Sequence, residues 1–342
     1  MRPTLRRGPD RHRHPMPSRF LVLAILAALA SALPAAERLR LGISPWAAWT
    51  PALAGQVRGI WQEEGIDVVV QVYPDDAAIL ADMEKGACDL ALAMIGNFVG
   101  ERIKGRDLVI LGEVDWSHGG DKVVIRRGLS TADLRGTTIG IYLDQPSVRF
   151  FLHRALGSYR LNDHDVVCEE VTDPIELARR FIDGRYPMIV NYDPQALRAV
   201  RQGNGTVVAS SATFPGVIPE GFGMLRARRA ELSEESLAAL FRGWFRCVAW
   251  SQQRENWDAY VEILRQGVFG PHSSEADLLT MVAAVSIHDP ATAARRNAPG
   301  GGLEAYLRDL GTYLRESGAV DAGWSPTPLI DTGAFLKACK AR

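Results

Sequence analysis

The chain has 342 residues, 47% of them apolar and 23% charged, with 39 basic against 40 acidic side chains and a formal charge of −1. That length is enough to bury more than one domain's core, and without a basic excess the chain offers no electrostatic footing for nucleic acid or an anionic membrane surface. Setting aside residues 1–36 removes six arginines and one acid, Asp10, which leaves 33 bases against 39 acids and a charge of −6.

Residues 1–36 read as an export signal. Arg2, Arg6, Arg7, Arg11, Arg13 and Arg19 precede an apolar run over residues 20–33, interrupted only by Ser31, and small residues follow. The run is shorter than the roughly 18 to 20 residues that a membrane span requires. A start at Met16 leaves the same arrangement, and cleavage is expected after residues 30–32 or nearer Ala36. No cysteine stands at that junction, so a lipid-modified N-terminal cysteine is not expected. The mature protein is expected in the periplasm, soluble and monomeric. Cys88, Cys168, Cys247 and Cys339 lie far apart and form no CxxC pair, which reads as separate thiols rather than a disulfide framework.

From residue 39 to about 211, short apolar strands alternate with helices, the pattern of a mainly parallel sheet flanked by helices. Leu39, Leu41 and Ile43 alternate as a strand; Thr50 and Pro51 then open a helix that runs to Glu64 and ends at Gly65. A strand DVVVQVY follows, then a helix from about Asp76 to Lys85 and a strand CDLALAM. The strands LVILGEV and KVVIRR bracket the segment Trp116-Ser117-His118-Gly119-Gly120-Asp121. A second series runs TTIGIY, a helix over 146–158, DVVCEEV, a helix over 174–183 capped by Thr172 and Asp173, PMIVN, a helix after Asp193-Pro194, and TVVAS. Beyond about Gly223 helices take over: Leu237, Leu240, Phe241, Trp244, Phe245 and Val248 recur at helical spacing, and later helices cover about 274–285 and 302–317.

Ligands of open α/β sheets sit beyond the carboxyl ends of the strands. That geometry singles out the loops over residues 44–49, 96–97, 116–121, 144–147 and 191–194. Trp46, Trp49, Trp116, Tyr142 and Tyr192 fall in or beside them as candidate walls for an organic solute, and Asn97, Ser117, Gln145 and Ser147 as short hydrogen-bonding groups. Pro146 and Ser147 begin a helix whose free N–H groups suit an anion or are simply solvated. Catalysis has no comparable signal. There is no GxSxG turn, no HExxH, no Walker loop and no GxGxxG, and the adjacent side chains of Ser117 and His118 diverge. No cofactor or metal site is expected.

These segments resemble the periplasmic solute-binding proteins of ABC importers in the nitrate, sulfonate and taurine group, related in fold to thiamine-pyrimidine-binding proteins. The resemblance is carried by SPWAAWTPALAGQVRGIWQEEGIDV, GACDLALAMIGN, DWSHGGDKVVIRRGLSTADLRGTTIGI, NYDP and EESLAALFRGWFRCVAW, in the expected order over most of residues 38–260. It implies a two-lobe periplasmic-binding-protein-like fold of type II, α/β with mixed, mainly parallel sheets flanked by helices. Lobe 1 would comprise residues 37–122 and 224–342 and lobe 2 residues 123–223, with crossings near 121–126 and 221–227 and the ligand cleft between the lobes. Carried over residue by residue, the ligand-binding set is Ser44, Trp46, Asn97, Ser117, His118, Gly119 and Asp121, with Gln145, Ser147, Tyr192 and Asp193 from the second lobe. Gly120 stands where the family's crossing loop usually has alanine, and Tyr192 where tryptophan is common. The resemblance implies a small organic solute such as a sulfonate or taurine, with an inner-membrane ABC permease as partner. No arginine is plainly aimed at the site, so Asp121, Asp144 and Asp193 offer an amine an alternative footing. An enzyme on the same fold and a sensing module for a membrane receptor are the other two readings.

Overall fold

The computed structural model describes residues 37–340, and the expected export signal lies outside them. Its strands follow the alternation in the sequence. In β1 (Arg38–Ile43) Leu39, Leu41 and Ile43 are fully buried while Arg38 lies exposed, and β3 (Leu90–Met94) is buried throughout. The first sheet has the order β11-β4-β10-β3-β1-β2, with β2 at Asp67–Val72, β4 at Leu108–Ser117, β10 at Pro219–Leu225 and β11 at Val285–Ile287. The second has the order β7-β6-β8-β5-β9, with β5 at Asp121–Arg126, β6 at Thr137–Ile141, β7 at Val166–Glu170, β8 at Met188–Tyr192 and β9 at Gly205–Ser210.

Parallel pairing belongs to the βα units: β1 with β2 and β3, and β6 with β7 and β8. The strands that follow or precede a change of sheet insert antiparallel, β10 between β3 and β4 and β5 between β8 and β9. The sheets are therefore mixed because the chain crosses twice, between Ser117 and Asp121 and between Ser210 and Pro219. The expected boundaries at 122/123 and 223/224 fall inside β5 and β10.

Helices form where apolar stripes recur. The first of them divides at Gly59, whose φ of 73° ends α1 (Pro51–Arg58) before α2 (Ile60–Glu63), so the single helix expected up to Glu64 is two. The next helices are α3 (Asp76–Glu84), α4 (Ile95–Ile103), α5 (Pro146–Ser158), α6 (Pro174–Ile182) and α7 (Gln195–Gln202). In the C-terminal part come α8 (Arg226–Glu231), α9 (Glu234–Ser251), α10 (Trp257–Leu264), α11 (Glu275–Ala283), α12 (Pro290–Asn297), α13 (Gly302–Glu316) and α14 (Gly333–Lys340). The α9 stripe buries Leu237, Leu240, Phe241 and Trp244 against the first sheet, where Phe222 of β10 meets Phe241 and Trp244 edge-on at 5.4 and 5.5 Å. The four cysteines are free, two buried and two half-buried. Among the described residues no helix is long and apolar enough to cross a membrane.

One side of the gap between the sheets is closed by helix packing. The first turn of α5 lies against α4 closely enough that a Cβ on Gly96 or Gly100 would stand 2.5 Å from Ser147 Oγ or Gln145 Oε1. The α13 rings of Tyr306 and Tyr313 pack on Phe150 of α5. Replacing Phe222 by Ala removes the centre of the α9 contact and is expected to cost about 3–5 kcal/mol, read as a lower denaturation midpoint with unchanged m-value.

Candidate functional site

Between the two sheets lies a cleft of about 410 Å³, within the roughly 300–1,000 Å³ of small-molecule sites. Strand ends from both sheets line it. From the first come Ser44, Pro45 and Trp46 after β1, Pro74 to Ala77 after β2, Met94 at the end of β3 and Glu220 in β10, together with Trp49. The second contributes Asp121 at the start of β5, Tyr142 and Leu143 after β6, Thr172 to Pro174 after β7 and Tyr192 at the end of β8. Parallel strands bring their carboxyl ends here, and the antiparallel insertions bring the amino ends of β5 and β10 to the same place.

The rings form a connected wall. Tyr192 meets Trp46 edge-on at 5.9 Å and Tyr142 at 4.9 Å, and Tyr142 reaches Met94 Sδ at 3.7 Å, so the sheets touch along the floor. Trp46 Nε1 donates to Glu220 Oε2 at 2.6 Å, and Tyr142 donates its hydroxyl hydrogen to Asp121 Oδ1 at 2.7 Å. After β2 of the same sheet, Asp76 accepts from Ser44 Oγ at 2.8 Å and from Asn97 Nδ2 at 2.9 Å. Asp75 and Asp173 cap α3 and α6 through the amides of Ala78 and Ile175.

Burial raises the carboxyl pKa values more than neighbouring donors and charges lower them. Desolvation pushes Asp76 up to about 6 against the donors Ser44 and Asn97, and it raises Asp121 despite its own donors. Glu220 and Asp115 face one another in the β4–β10 register, and Asp115 is fully buried with no N–H donor to either carboxylate oxygen. A proton held on Glu220 is the hydrogen open to that pair. Burial holds Asp115 at about 6, and burial together with the neighbouring Asp115 charge drives Glu220 well above the ordinary carboxylate range.

The expected site residues divide by position. Ser44, Trp46, Asp121 and Tyr192 line the cleft, and Asn97 stands behind Asp76. Ser117 is buried in the crossing, bonded to Ser211 Oγ at 2.8 Å, and Gly119 donates its amide to the same oxygen at 2.7 Å. Asp193 is buried beside the crossing and paired with Lys122. His118 is exposed, and its contact is a backbone hydrogen bond to Ala284. Gln145 and Ser147 pack against α4, so the α5 N-terminus is occupied by protein. Of the acids considered for an amine, Asp144 is paired with Arg149 and Asp193 with Lys122; neither lines the cleft, whereas Asp121 does. Asp75, Asp76, Asp173 and Glu220 were not among the expected residues. Asp75 and Asp173 signal themselves in the sequence as helix caps, Asp76 as an acid in the first turn of a helix, and Glu220 as a lone charge in an apolar strand. Among the described residues no group of three His, Cys, Asp or Glu side chains is placed to hold a metal ion.

Gly120 explains its own departure from alanine: a Cβ there would stand 2.3 Å from Trp46 Cη2. Gly120→Ala is therefore expected to displace the Trp46 indole from Glu220 and to destabilise the protein by about 1–3 kcal/mol, read by tryptophan fluorescence and denaturant unfolding. A second expectation concerns pH. Unfolded carboxyl groups lose their protons near pH 4, whereas folded Asp76 and Asp115 hold theirs to about 6. The folded state thus binds more protons between those values, and ligand-free stability falls as pH rises through that window. Asp76→Asn, which has no proton to lose, should flatten the fall by on the order of 2 kcal/mol, measured by chemical denaturation at about pH 4 and about pH 7.

Comparison with known proteins agrees with this geometry. Residues 46–214 match the family model described as NMT1/THI5 like. No curated protein matches the chain in sequence. Among solved structures, the chain is similar to the MOPS-bound alkanesulfonate-binding protein SsuA from Xanthomonas axonopodis pv. citri, at 15% identity over 88% of this chain and 100% of that one, with a TM-score of 0.68. It is similar to the periplasmic nitrate-binding protein NrtA from Synechocystis PCC 6803, at 14% identity over 89% of each chain, with a TM-score of 0.66. A zinc-bound ligand-binding component of an ABC-type import system from Staphylococcus aureus aligns at 12% identity over 88% of this chain and 99% of that one, with a TM-score of 0.67. The match to the NMT1/THI5-like family model covers residues 46–214, and the architecture is the periplasmic binding protein fold.

Proposed function

We propose that this protein is an extracytoplasmic solute-binding protein that closes on a small organic solute and delivers it to the permease of an ABC importer. The observation that carries the reading is the cleft itself: its wall is assembled from both sheets, and the chain joins those sheets through two short crossings. A solute touching both walls favours the arrangement in which they are close, and closure follows from that differential contact. The neighbours of like fold include binding components of import systems, which supports the same role. In this reading residues 1–36 direct export and the protein acts in the periplasm. The two lobes correspond to the two sheets, with the first lobe discontinuous in sequence.

A catalytic reading finds less to build on. Among the described lining residues there is no histidine, lysine or cysteine, and Ser44 is bonded to a carboxylate already held by Asn97. Nor does any lining residue favour a purely sensory role over delivery.

Small-angle scattering of the purified protein should show a smaller radius of gyration with bound solute, and native mass spectrometry should show one solute per chain without its conversion. Trp46→Ala is expected to weaken binding at least about tenfold while unfolding stays cooperative. Steady consumption of the solute, or unchanged affinity in that variant, would count against the assignment.

A further inference from the structure

The charge of the cleft goes further and bears on the class of solute, given the solute-binding reading above. Five acidic residues line it, Asp75, Asp76, Asp121, Asp173 and Glu220, and among the described residues no lysine or arginine does. The hydrogen bonds reaching the inner three come from neutral donors: Ser44 and Asn97 to Asp76, Tyr142 to Asp121, and Trp46 to Glu220. Nearby cations are engaged elsewhere. Lys122 is held by Asp193 and the Gly119 carbonyl, Arg149 by Asp144, and Arg296 by Glu113.

One further observation points the same way: Asp115, fully buried beside Glu220, has no N–H donor to either carboxylate oxygen. Carboxylates buried without a countercharge are destabilising, and a cation entering the cleft supplies the missing charge. The walls suit an organic cation. Trp46, Trp49, Tyr142 and Tyr192 offer aromatic faces, which attract positive charge and cover apolar surface. A sulfonate or nitrate, in contrast, would be desolvated against like charge.

We propose that the cleft selects a small organic cation, an amine, amidine or protonated nitrogen heterocycle, rather than the anions for which its structural neighbours are named.

Benzamidine, benzamide and benzenesulfonate are flat rings of similar size that carry one positive, no and one negative charge. Isothermal titration of the purified full-length protein near neutral pH should give benzamidine at least about tenfold tighter than benzamide, with benzenesulfonate weakest. Asp76→Asn and Glu220→Gln should each shrink the benzamidine-over-benzamide preference at least about threefold, since an amide cannot take up the negative charge that a bound cation draws from these carboxyl groups. Circular dichroism and cooperative unfolding identify any variant that fails to fold, and the other then carries the test. Benzamidine binding no tighter than benzamide, including no measurable binding of either, or benzenesulfonate binding tightest, overturns the charge assignment. The solute-binding reading fails separately, if no copurified or added solute of any charge compacts the protein in solution scattering.

Discussion

The β4–β10 pairing sets Glu220 opposite Asp115 at the place where the chain changes sheet, and the rest of the cleft is arranged around those two carboxyl groups. Trp46 turns its indole N–H onto Glu220, which fixes the plane of the ring. That plane is open to it because Gly120, in the other crossing, has no Cβ to meet the ring edge. Tyr192 then packs edge-on against Trp46 and Tyr142 against Tyr192, and Tyr142 holds Asp121. A single chain of contacts therefore joins the first sheet, the crossing between Ser117 and Asp121, and the second sheet.

A second buried carboxylate shows what compensation looks like in the same strand. Glu113, two residues before Asp115 and equally buried, accepts two hydrogen bonds from Arg296 at 2.7 and 2.9 Å and one from His288 at 2.9 Å, while Asn297 bridges its backbone N–H and carbonyl. Trp116 stacks under Arg296 and meets His288 edge-on. That network pairs every charge and anchors α12 to β4. Asp115 and Glu220, one step toward the cleft, have no such guanidinium. The contrast separates an acid used for packing from acids left unpaired at a surface that faces a cavity.

Much of the fold was legible in the sequence because each element carries its own period. The α5 bounds agree with the 146–158 reading, and the apolar stripe of α9 lies where its spacing put it. Cleft-lining residues were legible where a loop follows a parallel strand, as with Ser44, Trp46 and Tyr192, and Asp121, at the start of an antiparallel strand, came from the resemblance of its loop. Glu220 lies near the start of an antiparallel insertion, and which strand end reaches the cleft there depends on pairing between residues more than a hundred positions apart. Asp75 and Asp173 do cap helices, as the pattern suggests, and the cap position itself places a carboxylate at the mouth of the cleft. Ser147 and Gln145 show the reverse: a helix start with the right composition is filled by α4, a contact that local sequence does not encode.

The distribution of the acids between the sheets also bears on how closure and selection are linked. Asp75, Asp76 and Glu220 belong to the first sheet's wall, and Asp121 and Asp173 to the second's. When ionised, these two sets repel across an empty cleft, and burial on closing strengthens that repulsion as the local dielectric falls. Burial disfavours the charged forms of Asp76, Asp115 and Glu220 and holds their folded pKa values high, and the protons they keep relieve part of that repulsion. A cation between the walls turns the same charges into attractions that are largest when the walls are closest. A neutral solute gains only ring contact, and an anion adds to the repulsion. On the proposed reading the same carboxylates oppose closure on the wrong charge and favour it on the right one, so selectivity arises from the closing step as well as from the contacts.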